Sequence, residues 1–335
     1  MASQPEVTVI IPNYNGKKLL ENCIQTLERQ TCTDFKLLVV DNGSDDGSTE
    51  VTSSLDLTML ALKENTGFCG AVNEGIRRAD TPYVILLNLG IRAASGDRLL
   101  LLNNDTEVLP EFVEELLAAI KKSDRIFSAG AMMIDYHDRG RIDNAGDYYT
   151  AFGWAVARGK GKPLADFNRP CRVFSCCGGA VIYRTGLLRE MGPFDERHFA
   201  YLEDVDMGYR AKIHGYINCY APGARVYHVG SATTGTRYNE KKVFLAARNS
   251  MYLIYKNMPF LQLLINLPLI LSGILIKSLF FLKKGFAGEY LRGIGAGIAG
   301  CRGCKKVRFS WKNLGNYAVI QLALWGNVIR ILAGR

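Results

Sequence analysis

Residues Leu99 to Thr106 read Leu-Leu-Leu-Leu-Asn-Asn-Asp-Thr. A short, wholly apolar run is the pattern of a strand buried on both faces of an α/β sheet, and this one stops abruptly at polar residues that include one carboxylate. Open α/β sheets bind their ligands at that end of a strand. A carboxylate there, flanked by amide side chains, can hold a hard divalent cation, and the cation can neutralise a diphosphate. Taken alone, the same residues also fit a strand, a polar turn and Asp105 as a helix cap, because Asn and Asp favour turns.

The chain has 335 residues, enough for two domains or one large one with a substantial core. Hydrophobic residues at 48% against 22% charged exclude a disordered chain. Charge is unevenly placed. From Lys241 to the end, fifteen Lys and Arg face one acid, Glu289, so that segment is +14 and the first 240 residues carry −5 of the net +9. A basic tail on a mildly acidic body points to an anionic surface as partner rather than to nucleic acid. The opening Met-Ala-Ser-Gln-Pro-Glu lacks a basic region followed by an apolar core, so a cytoplasmic start without a signal peptide is expected. Nine cysteines without framework spacing suit reduced thiols, and the lone Cys301–Cys304 CxxC has no second pair to complete a zinc site.

Val7 to Ile11 alternates and branches like a buried strand, closed by the turn Pro12-Asn-Tyr-Asn-Gly16. Lys18 to Arg29 puts Leu19, Leu20, Cys23, Ile24 and Leu27 on one helical face. Phe35 to Val40 is a second apolar strand ending in Asp41, and Leu57 to Leu62 is a third. Such alternation implies a parallel sheet with right-handed crossovers. An acid at the end of the second strand can accept hydrogen bonds from a nucleotide base or ribose, while Gly43 and Gly47 let backbone come close; as a bare turn it also caps the next helix. Asn65 to Gly75 is a glycine-rich turn feeding a helix, but its spacing is not GxGxxG and no P-loop pattern is present, which argues against a dehydrogenase or an ATPase. Glu111 to Ser123 reads as an amphipathic helix and Phe127 to Ile134 as a strand, whereas Asp135 to Arg169 shows no strong periodicity. Further on, Glu203, Asp204 and Asp206 open a helix, where acids favour the dipole whatever else they do.

Four segments in this order, Val7–Gly16 (Val-Thr-Val-Ile-Ile-Pro-Asn-Tyr-Asn-Gly), Val39–Ser48 (Val-Val-Asp-Asn-Gly-Ser-Asp-Asp-Gly-Ser), Asn65–Gly75 and Leu101–Val108, resemble the family 2 inverting glycosyltransferases, particularly the bacterial rhamnosyltransferase-like branch. The resemblance runs from about Val7 to Gly235. It implies a GT-A fold, an α/β, mostly parallel sheet flanked by helices over residues 1–236, followed by a helical, basic, membrane-associated region over 237–335. It implies a nucleotide-sugar site of Pro12, Asn13, Tyr14, Asn15, Asp41, Asn42, Ser44, Asn65, Gly67, Phe68, Asn73, Asn103 and Asn104, with Asp41 on the base. Asn103-Asn104-Asp105 stands at the family's DxD metal motif; its first acid is Asn103 here, which leaves Asp105 as the main protein ligand for Mg2+ or Mn2+. His228 is placed by the same resemblance to reach the metal or the diphosphate. The pair Glu203–Asp204 takes the catalytic position, with Asp204 as base. The implied activity is transfer from a UDP- or dTDP-sugar, rhamnose among them, to a lipid-linked or glycan acceptor in cell-surface polysaccharide synthesis.

One departure from the family pattern stands out. Gly75 to Asn88 and Gly90 to Asn103 share seven identities in fourteen positions, a tandem copy of a helix end, a turn and a strand. Two strands compete for one place in the sheet. The second copy is expected to take it, because only that copy runs into Asn104 and Asp105. If the metal motif is displaced instead, the chain reads as a nucleotide-sugar-binding membrane partner with an impaired site. A nucleotidyltransferase would want a glycine-rich basic phosphate loop, which Pro12 to Gly16 lacks.

After Arg237 the character changes. Asn257 to Ile276 carries no charge and is long enough to cross a bilayer, though Gln262, Asn266 and Pro268 weaken it as a span. A basic cluster from Arg302 to Lys312 precedes a second apolar run from Leu314 to Ile329. A soluble helical subdomain with a basic surface is one reading. The expectation is attachment to the cytoplasmic face of the cell membrane, peripherally through interfacial helices or by one to two membrane helices.

Overall fold

The computed structural model describes residues 5–87, 92–94, 99–101, 106–228 and 238–334. In chain order its first elements are β1 (Val7–Asn13), α1 (Lys17–Leu27), β2 (Phe35–Asp41), β3 (Leu57–Ala61), α2 (Gly67–Arg78), β4 (Tyr83–Leu87), β5 (Arg92–Ala94), β6 (Leu99–Leu101), β7 (Thr106–Val108), α3 (Phe112–Lys121) and β8 (Ile126–Asp135). There follow β9 (Ile142–Asn144), β10 (Asp147–Tyr149), β11 (Ala155–Ala157), β12 (Cys171–Val173), β13 (Ala180–Arg184), α4 (Thr185–Met191), α5 (Glu203–Ile213) and β14 (Ile217–His228). Four helices close the chain: α6 (Glu240–Asn257), α7 (Phe260–Lys284), α8 (Ala287–Gly300) and α9 (Leu314–Leu332).

The main sheet has the order β12-β14-β8-β13-β4-β1-β2-β3. Its first half, β4-β1-β2-β3, is parallel, as the βαβ pattern requires. Beyond β4 the sheet becomes mixed, because β13 enters antiparallel to both β4 and β8 while β14 runs parallel to β8. Strand residues alternate between faces. Ile10, Val40 and Leu86 join Phe68 and Val72 of α2 on one side, and Val9, Ile11, Val39 and Ile85 join Leu20, Ile24, Leu116 and Ile120 of α1 and α3 on the other. Covered on both faces, β1 is buried along its whole length, Thr8 and Asn13 included.

The tandem repeat resolves differently from the expectation. The first copy supplies β4, wholly buried between β1 and β13, and the second supplies both β5 and β6, which among the described residues pair with each other in a separate antiparallel hairpin. Leu99 to Leu101 is therefore not the strand of the main sheet that its composition suggested. The physical reason is connectivity. The first copy leaves α2 through the short link 79–82 and reaches the neighbouring slot of β1 directly, and once β13 covers its other edge that slot is closed to a second strand. Asn103, Asn104 and Asp105 lie outside the described residues.

The helical tail is not a separate body. Val205, Tyr209 and Ile213 of α5 and Tyr149 of β10 share one apolar cluster with residues of α6, α7, α8 and α9. Helix α5 reaches this position because Gly208 lets it lie against the 174–175 backbone: a Cβ at Gly208 would stand 2.9 Å from Ser175 Cα and 3.1 Å from the Phe174 carbonyl oxygen. Gly208→Ala is therefore expected to lower stability by about 1–3 kcal/mol through overpacking against backbone that cannot yield. Gly295→Ala in α8, which meets only open space, should raise it by up to roughly 1 kcal/mol from helix propensity. Thermal or urea unfolding of the two variants checks both signs.

Candidate active site

The parallel strands β1 and β2 end side by side, with Asn13 and Asp41 in register. Polar residues collect there because apolar packing stops where the sheet meets the turns. Asn13 Nδ2 donates to Asp41 Oδ1 at 3.1 Å, and Ser44 donates to the same carboxylate through its hydroxyl at 2.5 Å and its backbone N–H at 2.9 Å. Ser44 Oγ also accepts from the Asn15 N–H, and Asn15 Oδ1 accepts from the Asp45 N–H, both at 2.9 Å. Asn15 sits at φ 51°, a left-handed conformation that Asn tolerates. Pro12 lies within β1 against Val40, and Tyr14 is half-buried beside it.

A second polar layer holds the glycine-rich turn. Asn42 donates to Asn65 Oδ1 and to the Gly67 carbonyl, and its Oδ1 accepts from the Thr66 N–H at 2.9 Å. Gly67 has φ +77°, and a Cβ there would meet the Phe199 ring at 2.6 Å. Asn73 is fully engaged elsewhere: its amide donates to the Phe194 carbonyl and Glu196 and accepts from the Phe194 N–H, so it clamps the 194–196 turn. Phe68 is a core residue whose ring lies beside Gly178.

Three carboxylates converge across from these turns. Asp204, in the first turn of α5, accepts from the Gly178 N–H at 2.9 Å and the Val205 N–H at 2.8 Å. Burial nevertheless holds its carboxyl above the ordinary range. Its neighbour Glu203 is pushed further up by burial and by the Asp204 charge, and its Oε2 has no partner. Asp147, held by Asn144 Nδ2 at 2.9 Å, is raised to about 8 by burial and then by the Asp204 charge. The cluster therefore keeps protons that exposed acids would lose, and Asp204 is a stronger base than a solvated Asp.

The backbone leading into this pair is strained. Phe199, Tyr201 and Leu202 have φ of 60°, 74° and 67°, values that cost energy for bulky residues and persist only where the surroundings impose them. Helix α6 does so. Asn249 Nδ2, fully buried, lies within 2.8–2.9 Å of the His198, Ala200 and Tyr201 carbonyls, and Arg248 donates to the Arg197 and His198 carbonyls. Two turns further along, buried Lys256 bridges Asp195 and Asp206, both at 2.8 Å, while Asn257 Nδ2 donates to Asp206 at 2.7 Å and Arg210 reaches it at 3.1 Å. Burial alone would raise the Asp206 carboxyl, but the Arg210 and Lys256 charges outweigh it and hold Asp206 far below the usual range. His198, buried beside this network, is lowered to about 4 by desolvation and is neutral.

His228 ends β14, where its strand partner is Thr106, the residue after Asp105 in the sequence. Its Nδ1 is 2.7 Å from Asp143 Oδ2, and Lys160 reaches Asp143 Oδ1 at 2.5 Å. Burial pushes Asp143 up, but the His228 hydrogen bond and charge with Lys160 outweigh it and leave that carboxylate ionised. A carboxylate on one ring nitrogen fixes the ring and leaves Nε2 as its second nitrogen, the support that metal-binding imidazoles use. Among the described residues no three His, Cys, Asp or Glu side chains converge as a complete metal site.

The structure thus gathers Asn13, Asn15, Asp41 and Ser44 at one strand edge, brings Glu203 and Asp204 together, and uses Asn73 for support. Asp143, Asp147, Asn249 and Lys256 were missed by sequence reasoning. The closely spaced acids of Asp143-Asn-Ala-Gly-Asp147, and two polar residues seven apart on an apolar helical face, are the patterns that would have flagged them.

A family model described as Glycosyl transferase family 2 matches residues 8–89, and one described as Glycosyl transferase family group 2 matches residues 99–291. The chain belongs to the family 2 glycosyltransferases. The two matches break inside the repeated unit. An N-acetylglucosaminyl-diphospho-decaprenol L-rhamnosyltransferase of Mycobacterium tuberculosis is 26% identical over 273 residues, covering 72% of this chain and 84% of that protein. Among solved structures, GalNAc-T7 with UDP, GalNAc and Mn2+ aligns with a TM-score of 0.56 at 14% identity, covering 76% of this chain and 48% of that one. A mannosyltransferase from Pyrobaculum calidifontis in complex with GDP-Man and Mn2+ aligns at 0.53 and 15%, covering 99% and 88%. These two likenesses establish the fold, of GT-A type.

Lys256→Met leaves Asp195 and Asp206 facing an apolar side chain and is expected to cost about 3–5 kcal/mol of stability, read by chemical unfolding. For Asp147 the sign follows from linkage. The folded carboxyl keeps its proton to about pH 8 while the unfolded one loses it near its ordinary 3.8, so stability contributed by this group falls as pH rises across that window. Asp147→Asn cannot ionise, and its melting temperature relative to the parent should climb steadily from pH 5 to pH 8.

Proposed function

We propose that this protein is an inverting, metal-dependent glycosyltransferase that moves a sugar, rhamnose first among the candidates, from a UDP- or dTDP-sugar to a lipid-linked acceptor at the cytoplasmic face of a membrane. The observation that carries the reading is Asp204: a carboxylate of raised basicity, fixed by two backbone N–H groups at a helix start, beside a glycosyltransferase sheet edge. Inverting transfer is one in-line displacement at the anomeric carbon. Asp204 takes the proton of the attacking acceptor hydroxyl as the new glycosidic bond forms, and the bond to the nucleoside diphosphate breaks on the opposite face. Glu203, held protonated, spares Asp204 a second adjacent negative charge. Asn13, Asp41 and Ser44 receive the base; uridine and thymidine present the same imide N–H to Asp41. A divalent cation held by Asp105 and His228 would neutralise the leaving diphosphate, and the Asp143-supported imidazole suits that role.

The helical tail supports the membrane placement. Among the described residues α7 is the one helix long and apolar enough to cross a bilayer. Its inward stripe, however, is committed to protein: Gln262 accepts from the Tyr209 hydroxyl, Asn266 and Gln321 exchange amide hydrogen bonds, and Gly273 lies against the Phe152 carbonyl. Phe260, Leu261, Leu264, Leu271, Leu275 and Leu279 are exposed around the rest of it. A helix tied to the catalytic body along one stripe and apolar elsewhere is suited to lie in the interface plane, with its lysines toward anionic headgroups.

The hairpin β5–β6 ahead of Asp105 favours a second reading, a nucleotide-sugar-binding partner with an impaired site. Purified full-length protein, Mn2+ or Mg2+, a panel of nucleotide sugars and a lipid-linked acceptor separate the two. Metal-dependent nucleoside diphosphate release from one donor is expected, falling at least 100-fold in Asp204→Asn, and by more than tenfold in Asp105→Ala and His228→Ala. Donor binding without release in the parent protein would establish the second reading instead.

A further inference from the structure

A groove of about 870 Å³ lies between the start of α7, residues 306–311 and α9. Its walls include Phe260, Ile265, Val307, Phe309, Trp311 and Leu314. The aromatic wall is preformed: Phe309 contacts Trp311 edge-on at 5.3 Å and stacks on Tyr317 at 5.7 Å. Trp311 is nonetheless 79% exposed and Phe260 76%, so among the described residues this surface is left largely uncovered.

Two further features define what fills it. Lys306 and Arg308 line the groove, within a stretch that also carries Lys305 and Lys312 and no acid, so an anionic group is favoured beside an apolar body. Gln262, also in the lining and only 5% exposed, spends its Oε1 on the Tyr209 hydroxyl and leaves Nε2 with no acceptor. A buried amide donor of this kind is costly unless an oxygen reaches it. A pure hydrocarbon fails that requirement. Tyr209 stands five residues after Asp204, roughly 7–8 Å along the axis of α5, so the groove is tied directly to the helix that carries the base.

We propose that this groove receives the proximal isoprenoid chain of a polyprenyl-diphosphate-linked acceptor, with Lys306 and Arg308 on its phosphates. The proposal rests on the lipid-linked-acceptor reading above. The apolar walls suit an isoprenoid chain, and the diphosphate supplies both the charge for the cations and oxygens for Gln262.

The test uses the full-length protein in phosphatidylcholine–phosphatidylglycerol vesicles with a polyprenyl diphosphate bearing a photoactivatable group in its first isoprene units. Cross-links are expected on residues 259–265 and 306–321, suppressed at least fivefold by excess unlabelled polyprenyl diphosphate and not by added phosphatidylglycerol. Ala318 lines the groove but is exposed, so Ala318→Trp should fill the channel without disturbing the fold. It is expected to abolish the specific cross-link and to raise KM for the lipid-linked acceptor at least tenfold, leaving kcat and donor KM unchanged. Labelling elsewhere, equal suppression by phosphatidylglycerol, or an unchanged cross-link in Ala318→Trp overturns the proposal, even where transfer to the lipid-linked acceptor proceeds. Absence of transfer by the parent protein overturns the functional reading instead, and the cross-link still decides the groove.

Discussion

The polar contacts that α6 makes with the segment 195–206 are the constraint on which the site depends. Asn249 reaches the His198, Ala200 and Tyr201 carbonyls, and Lys256 joins Asp195 to Asp206 across the same segment. Only with those contacts in place does backbone at positive φ persist through Phe199, Tyr201 and Leu202 and deliver Glu203 and Asp204 at the start of α5. The helical tail is thus a structural part of the active site. The proposed membrane attachment through α7 and the placement of Glu203 and Asp204 are linked by shared packing, since both rest on the cluster that holds Tyr209.

The same helix carries two acids with opposite fates. Asp206, surrounded by Arg210, Lys256 and Asn257, is held ionised and serves as an anchor. Asp204, two residues earlier, turns toward Gly178 and a cluster of other buried acids, and retains basicity. Environment, not residue type, sets these states, which is how one α-helical turn supplies both a rigid ion-pair network and a carboxyl of raised basicity.

The repeated unit shows how topology overrules composition. Four successive leucines are a stronger apolar run than Tyr83–Leu87, yet the weaker pattern occupies the sheet. Its neighbour in the chain, α2, packs on β1 through Gly75, which leaves the adjacent edge of β1 within reach of a short connection. The second unit, arriving later, folds on itself as the β5–β6 hairpin outside the main sheet.

Much of the molecule was legible in residue order alone. The strands β1 to β3, the helices α1 and α3, the polar edge at Asn13 and Asp41, and the basic apolar tail follow from local periodicity and from motifs whose spacing is short. These features depend on neighbours within one turn or one strand, so the chain's own pattern specifies them. The clamp of Asn249 and Lys256, the approach of Asp147 to Asp204, the Asp143 support of His228 and the choice between the two repeated units join residues 48 or more positions apart. Such pairings are set by which sheet edge is free and which face is covered, quantities that exist only once the chain is packed.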